Sequence, residues 1–133
     1  MKLNRVHHIA IITADYERSK SFYTNLLGFT ILNEYYREER DSYKLDLAFN
    51  GEYLIELFSF PSPPKRLTYP EACGLRHLAF EVDDIDQCVL ELQRKGVEVG
   101  EVRMDPYTNK KTVFFNDPDN LPLELYEKTP LEN

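Results

Sequence analysis

The sequence repeats itself, and the repeat puts polar residues at matching places inside otherwise apolar runs. Arg76-His77-Leu-Ala-Phe mirrors His7-His8-Ile-Ala-Ile, and Leu123-Glu124-Leu mirrors Ile55-Glu56-Leu. His8 and Glu56 lie 48 positions apart, and His77 and Glu124 lie 47 apart. Self-similarity at a fixed period means that each copy is one supersecondary unit and that the fold is a pairing of two such units.

Each copy reads as βαβββ. In the first, residues 6–12 form an apolar, β-branched run, and residues 15–27 carry apolar side chains at helical spacing, with Gly28 as a stop. Residues 29–35, 43–49 and 53–60 read as strands, with Asn50-Gly51 where a tight hairpin needs positive φ. A Pro-rich stretch beginning at Pro61 can neither join a central strand nor continue a helix. The pattern then restarts with a strand at 75–82 and a helix capped by Asp83 or Asp84, running through Ile85, Val89 and Leu92 to Gly96. Strands at 97–103, 111–115 and 121–126 follow, the last two joined by Asn116-Asp-Pro-Asp-Asn. The expected fold is α+β: one domain over residues 1–133, with modules at about 4–60 and 75–128 and a connector at 61–74. The two modules are expected to form a curved sheet around a cleft.

The net charge of −7, with Lys and Arg scattered among acids, leaves no basic face for nucleic acid. No apolar signal region opens the chain, and no run nears the roughly 18 apolar residues that a membrane helix needs, so a soluble cytoplasmic protein is expected. Cys73 and Cys88 read as reduced, buried thiols rather than a disulfide framework.

The four repeated residues need a physical reason. An isolated carboxylate in an apolar strand costs several kcal/mol to bury, so Glu56 and Glu124 need a partner or water. Strand alternation offers one explanation, in which each glutamate points to solvent. A lone strand histidine likewise has a bland reading as a hydrogen-bonded residue. As a set, His8, Glu56, His77 and Glu124 are nitrogen and oxygen ligands suited to one divalent ion such as Zn²⁺, Ni²⁺, Co²⁺, Mn²⁺ or Fe²⁺. Alternation turns His7 to the opposite face from His8, which makes it structural.

With these residues in place the chain resembles the vicinal oxygen chelate superfamily, and within it glyoxalase I-like proteins (relatives of lactoylglutathione lyase). The resemblance runs from about residue 6 to 127. It rests on the paired modules, on Ser21-Phe-Tyr-Thr-Asn-Leu-Leu-Gly-Phe, on Arg76-His77-Leu-Ala-Phe-Glu-Val and on Phe115-Asn-Asp-Pro-Asp-Asn-Leu-Pro-Leu-Glu124. It implies a His, Glu, His, Glu ligand order on His8, Glu56, His77 and Glu124. It also implies Ni, Co or Zn as the ion and a homodimer whose sites lie within one chain or between two. Related dioxygenases and fosfomycin-modifying enzymes use two His and one Glu, and related epimerases carry Gln at the place of Glu56, so Glu56 favours the glyoxalase-like branch. The implied chemistry is that of a metal-dependent lyase or isomerase. A small substrate with adjacent oxygens chelates the ion, a proton leaves the neighbouring carbon, and the ion stabilises the enediolate. Glu124 is the first choice of base, with Glu56 assisting or exchanging roles.

Two departures qualify the likeness. Glutathione-using relatives typically carry an Arg four residues after the first His and an Asn four after the first Glu, where this chain has Ile12 and Phe60. The expected substrate therefore need not be a glutathione adduct. Arg37, Lys44, Tyr107 and Lys110 are candidates for a different clamp, and Phe58, Phe60 and Phe115 for walls of the site, each with an alternative reading as a surface or core residue. The competing functions are a protein that sequesters a small molecule such as an antibiotic and an Fe²⁺ ring-cleaving dioxygenase.

Overall fold

The computed structural model describes residues 1–130. The chain divides into two compact units, Met1–Lys65 and Arg66–Asn133. In the first, strand β1 (Ile9–Thr13) leads to helix α1 (Tyr16–Ser21), which continues as a π-helical turn (Phe22–Leu26) before β2 (Thr30–Arg37), β3 (Ser42–Phe49) and β4 (Glu52–Ser59). In the second, β5 (Leu78–Val82) leads to α2 (Ile85–Arg94), then β6 (Arg103–Met104), β7 (Lys111–Asn116) and β8 (Pro122–Glu127). Each unit holds one four-stranded sheet, ordered β1-β4-β3-β2 in the first and β5-β8-β7-β6 in the second. The α+β class and the twofold repetition of βαβββ are as expected. Among the described residues, no helix is long and apolar enough to cross a membrane.

Each helix starts for the same local reason. The Asp15 carboxylate accepts the backbone N–H of Arg18 at 3.2 Å, and Asp84 accepts that of Gln87 at 3.1 Å. Asp84→Ala is expected to destabilise the protein by about 1 kcal/mol, the usual worth of such a cap, read as a lowered urea midpoint. Asn50 and Gly51 (φ 49° and 80°) make the two-residue hairpin between β3 and β4.

Alternation decides which sheet face is covered. In the first unit Ile11, Leu45, Leu47, Ile55 and Leu57 are buried with Tyr16, Tyr23 and Phe29. In the second unit Val113, Phe115, Leu123 and Leu125 are buried with Ile85 and Leu92. The intervening residues of β4 and β8 face the other way, and those residues include Glu56 and Glu124.

Three segments depart from the sequence expectation. The strand expected at 75–82 starts at Leu78, because the Arg66 guanidinium takes the carbonyls of Leu75 (2.5 Å) and Arg76 (3.1 Å). The strand expected at 97–103 shrinks to β6 and a single Val99–Phe115 bridge. There Gly100 donates to the Phe114 carbonyl at 2.8 Å, so close that a Cβ would sit 3.1 Å from that oxygen. Cys73, expected to be buried, is exposed, since the connector around it joins no sheet. Cys88 is half-buried, and burial, with Glu91 and Asp84 nearby, pushes its thiol pKa up.

Candidate metal half-sites

The two units place their repeated residues in one way. β1 runs parallel to β4 with Ala10 opposite Glu56, and β5 runs parallel to β8 with Ala79 opposite Glu124. Parallel pairing brings the residue just ahead of the first strand beside the glutamate of the last. His8 Nε2 stands 3.8 Å from Glu56 Oε1, and His77 Nε2 stands 3.6 Å from Glu124 Oε1. Two ligands about 2.0–2.2 Å from one ion at tetrahedral or right angles are about 2.8–3.6 Å apart, so each pair needs to close by no more than about 1 Å. The glutamate side chains are 15% and 14% exposed, partly covered and open on one side. His77 Nδ1 is buried without a hydrogen-bond partner among the described residues. In neither unit, among those residues, do three or more His, Cys, Asp or Glu side chains gather into a metal-binding group. Each unit by itself offers two ligands of the expected four, and the donor chemistry of each pair fits a divalent ion.

The surroundings of the two glutamates differ. Glu124 faces Phe114 across β7 and forms no ion pair with Lys or Arg among the described residues. Glu56 belongs to a polar cluster. Lys44 Nζ lies 3.2 Å from Glu56 and 2.6 Å from Asp46, and the Tyr53 hydroxyl lies 2.8 Å from Asp46 and 3.3 Å from Glu56. Burial alone pulls the Lys44 ammonium toward neutrality, but hydrogen bonds to Asp46 and Glu56 outweigh it and leave its pKa above that of an ordinary lysine. Burial pushes the Asp46 carboxyl up, but Lys44 and Tyr53 outweigh that and hold it below the usual carboxylate range. Burial, then Asp46, drive the Tyr53 phenol well above its ordinary value.

Asp46 and Tyr53 escape a sequence reading. Asp46 sits between Leu45 and Leu47, and strand alternation shows that it leaves the core. Its meeting with Glu56 depends on a one-residue register shift between Leu47 and Ala48, which no motif announces. His7 is a correction. It and His8 do not point to opposite faces: their Nδ1 atoms are 2.8 Å apart and both rings pack on Tyr53. β1 begins only at Ile9, so strand alternation does not apply to them.

Of the clamp candidates, Lys44 joins the Glu56 cluster. Arg37 lies over the rings of Phe58 (4.9 Å) and Phe60 (5.8 Å) and donates to Ser42 Oγ at 3.0 Å. Tyr107 is 95% exposed, and the Nζ of Lys110 is buried without a hydrogen-bond partner among the described residues. Phe115 is a core residue, 3% exposed, and its place beside the site goes to Phe114, whose ring meets His77 edge-on at 5.1 Å. Phe115 lies opposite Leu123 and Phe114 opposite Glu124, so alternation separates the two phenylalanines.

Residues 5–125 match the sequence model of the glyoxalase/bleomycin resistance protein/dioxygenase superfamily. The chain is 64% identical to the uncharacterized protein YaeR of Escherichia coli, over 95% of this chain and 98% of that protein. It is 30% identical to the lactoylglutathione lyase of Salmonella typhimurium, over 92% of each chain. The crystal structure of a glyoxalase family protein from Enterococcus faecalis superimposes with a TM-score of 0.89 at 45% identity, covering 96% of this chain and all of that one.

Proposed function

Because this chain belongs to the glyoxalase/bleomycin resistance protein/dioxygenase superfamily, we propose that it is a metal-dependent lyase or isomerase of glyoxalase I type. The observation that carries the reading is the duplicated pair: an imidazole nitrogen within 4 Å of a largely buried glutamate, at the same strand register in both units. Two such pairs, from one chain or from two copies in a homodimer, make the His8, Glu56, His77, Glu124 set for Ni²⁺, Co²⁺ or Zn²⁺. The ion, when bound, supplies positive charge that stabilises the oxygen anion formed as a proton leaves the carbon beside a chelated carbonyl.

The chain's own residues divide the remaining work. Glu124 takes the proton on a carboxylate oxygen, because no Lys or Arg among the described residues competes for it. Glu56 Oε2 is held by Lys44 and Tyr53 while Oε1 faces His8, which suits a ligand acting through Oε1 better than a mobile base. Ile12 is exposed on β1, and Phe60 is engaged by Arg37 and Phe58, so neither supplies a polar grip on a peptide. Substrates smaller than a glutathione adduct are therefore favoured.

The reading is tested by calorimetric titration of metal-free protein with Ni²⁺ and Zn²⁺, followed by solvent-deuterium exchange into small α-hydroxycarbonyl compounds. Saturable binding with metal-dependent exchange is expected, and no ion binding would sink the proposal. Tight binding without exchange on any compound would instead indicate a sequestering protein. Turnover of the methylglyoxal–glutathione hemithioacetal is expected to be weak, and efficient turnover would overturn the inference from Ile12 and Phe60.

A further inference from the structure

The face of the first sheet that carries Glu56 is ordered in rows by strand register. One row holds Ala10, Glu56, Asp46 and Asn33, and the next holds Ile12, Phe58, Lys44 and Tyr35. Beyond them, Arg37 lies opposite Ser42. Anything extending from Glu56 along this face meets apolar and aromatic side chains and two cations, Lys44 and Arg37. Sheet geometry places those two as diagonal neighbours, roughly 7–8 Å apart at Cα.

Asp46 needs an explanation that stability does not supply. Its side chain is 6% exposed, and a buried ion pair is often no more stabilising than apolar residues of the same volume. What Asp46 does is fix Lys44. The ammonium has three donors: Asp46 takes one at 2.6 Å and Glu56 a second at 3.2 Å. Glu56 meets Lys44 through Oε2 and faces His8 with Oε1, so an ion taken by Oε1 draws negative charge away from the Lys44 contact and weakens it, while Asp46 keeps the ammonium in place. Tyr35, with its ring 5.6 Å from Nζ, limits movement on the opposite side. Arg37 is restrained as well, stacked on Phe58 and Phe60 and anchored to Ser42, and it forms no carboxylate pair among the described residues.

We propose that Lys44, positioned by Asp46 and with its hold on Glu56 weakened when that carboxylate takes an ion, reads a negative charge on the ligand, with Arg37 as a second cation further out. The site's substrates are then small anionic compounds bearing a carboxylate or phosphate a few bonds from the chelating oxygens. This deepens the metal-site reading and rests on it for the position of the chelating end.

The test uses two chelators with the same chelating end, succinomonohydroxamate, which ends in a carboxylate, and butyrohydroxamate, which ends in a methyl group, with Ni²⁺-loaded protein and calorimetry. The carboxylate-tailed compound is expected to bind at least about 10-fold more tightly, the factor one charge-assisted hydrogen bond supplies. The preference, read as the ratio of the two affinities in the same protein, should collapse in Lys44→Met. Since Lys44→Met strands Asp46, the neutral pair Lys44→Met/Asp46→Asn carries the same measurement and should give the same collapse. No preference in the parent protein, or one that survives both variants, overturns the proposal while leaving the metal reading intact.

A metal-free arm separates the two readings. In metal-free Glu56→Gln protein the Lys44 ammonium faces a neutral amide instead of the competing Glu56 carboxylate, so succinate should bind about 10-fold more tightly than to metal-free parent protein. That gain should vanish in Glu56→Gln/Lys44→Met. If the parent protein binds no Ni²⁺, the metal reading falls and this arm alone decides: no gain in Glu56→Gln overturns the proposal.

Discussion

His77→Ala protein is expected to bind Ni²⁺ or Zn²⁺ at least about 100-fold more weakly than the parent, while its metal-free melting temperature barely moves. Loss of a residue that merely orients a ligand typically costs 10- to 100-fold in metal affinity, and His77 is proposed as a ligand itself. Its ring lies off the core: the side chain is 25% exposed, it precedes β5, and its Nδ1 has no partner among the described residues to be stranded by truncation. The contacts it forfeits are the edge-on approach to Phe114, itself exposed, and the 3.6 Å approach to Glu124. Titration against a competing chelator, with thermal unfolding in parallel, checks both halves. Parent-like affinity would remove His77 from the ligand set, and a large fall in metal-free stability would mark it as structural. His8→Ala should behave alike, because His8 stands to Glu56 as His77 stands to Glu124.

Leu57→Ala is expected to cost about 2–5 kcal/mol, a large fraction of the total stability of a typical domain. Leu57 is fully buried, with Leu45 opposite it on β3 and Ile11 opposite it on β1, both also in the core. Truncation leaves a cavity between three strands and the helical cover, where little can move to fill it. The control is one position along β1: Ile12 is 53% exposed, and Ile12→Ala should shift stability by less than about 0.5 kcal/mol. Urea midpoints at constant slope measure both, and equal effects would contradict the assignment of faces.

These two positions also show what the sequence makes visible. The duplicated His and Glu spacing, the Asn50-Gly51 turn and the capping aspartates are local patterns, and a local pattern survives translation into structure. The covered faces follow from period-two alternation once the strands are placed. The Glu56 cluster is different. An unbroken hairpin running back from Asn50-Gly51 would set Asp46 opposite Ile55, in the core. The register shift between Leu47 and Ala48 instead sets it opposite Glu56. A one-residue slip exchanges the faces of everything beyond it, so the partner of Lys44 hinges on a bulge that composition and periodicity do not encode. Phe114 and Phe115 make the same lesson sharper, since adjacent phenylalanines take opposite roles according to which of them faces Leu123.

The parallel contact between β1 and β4 bears on the order in which the first unit assembles. β2, β3 and β4 join their neighbours through short turns, whereas β1 reaches β4 only after α1, β2 and β3 have been traversed. Closing that longer loop has the larger entropic cost, so the pairing follows the two hairpins. His8 accordingly comes beside Glu56 in the final step, and β5 with β8 imposes the same sequence of events on His77 and Glu124. An ion that requires these pairs recognises only finished chains. At 100 times its dissociation constant it would draw the folding equilibrium toward them by about 2.7 kcal/mol.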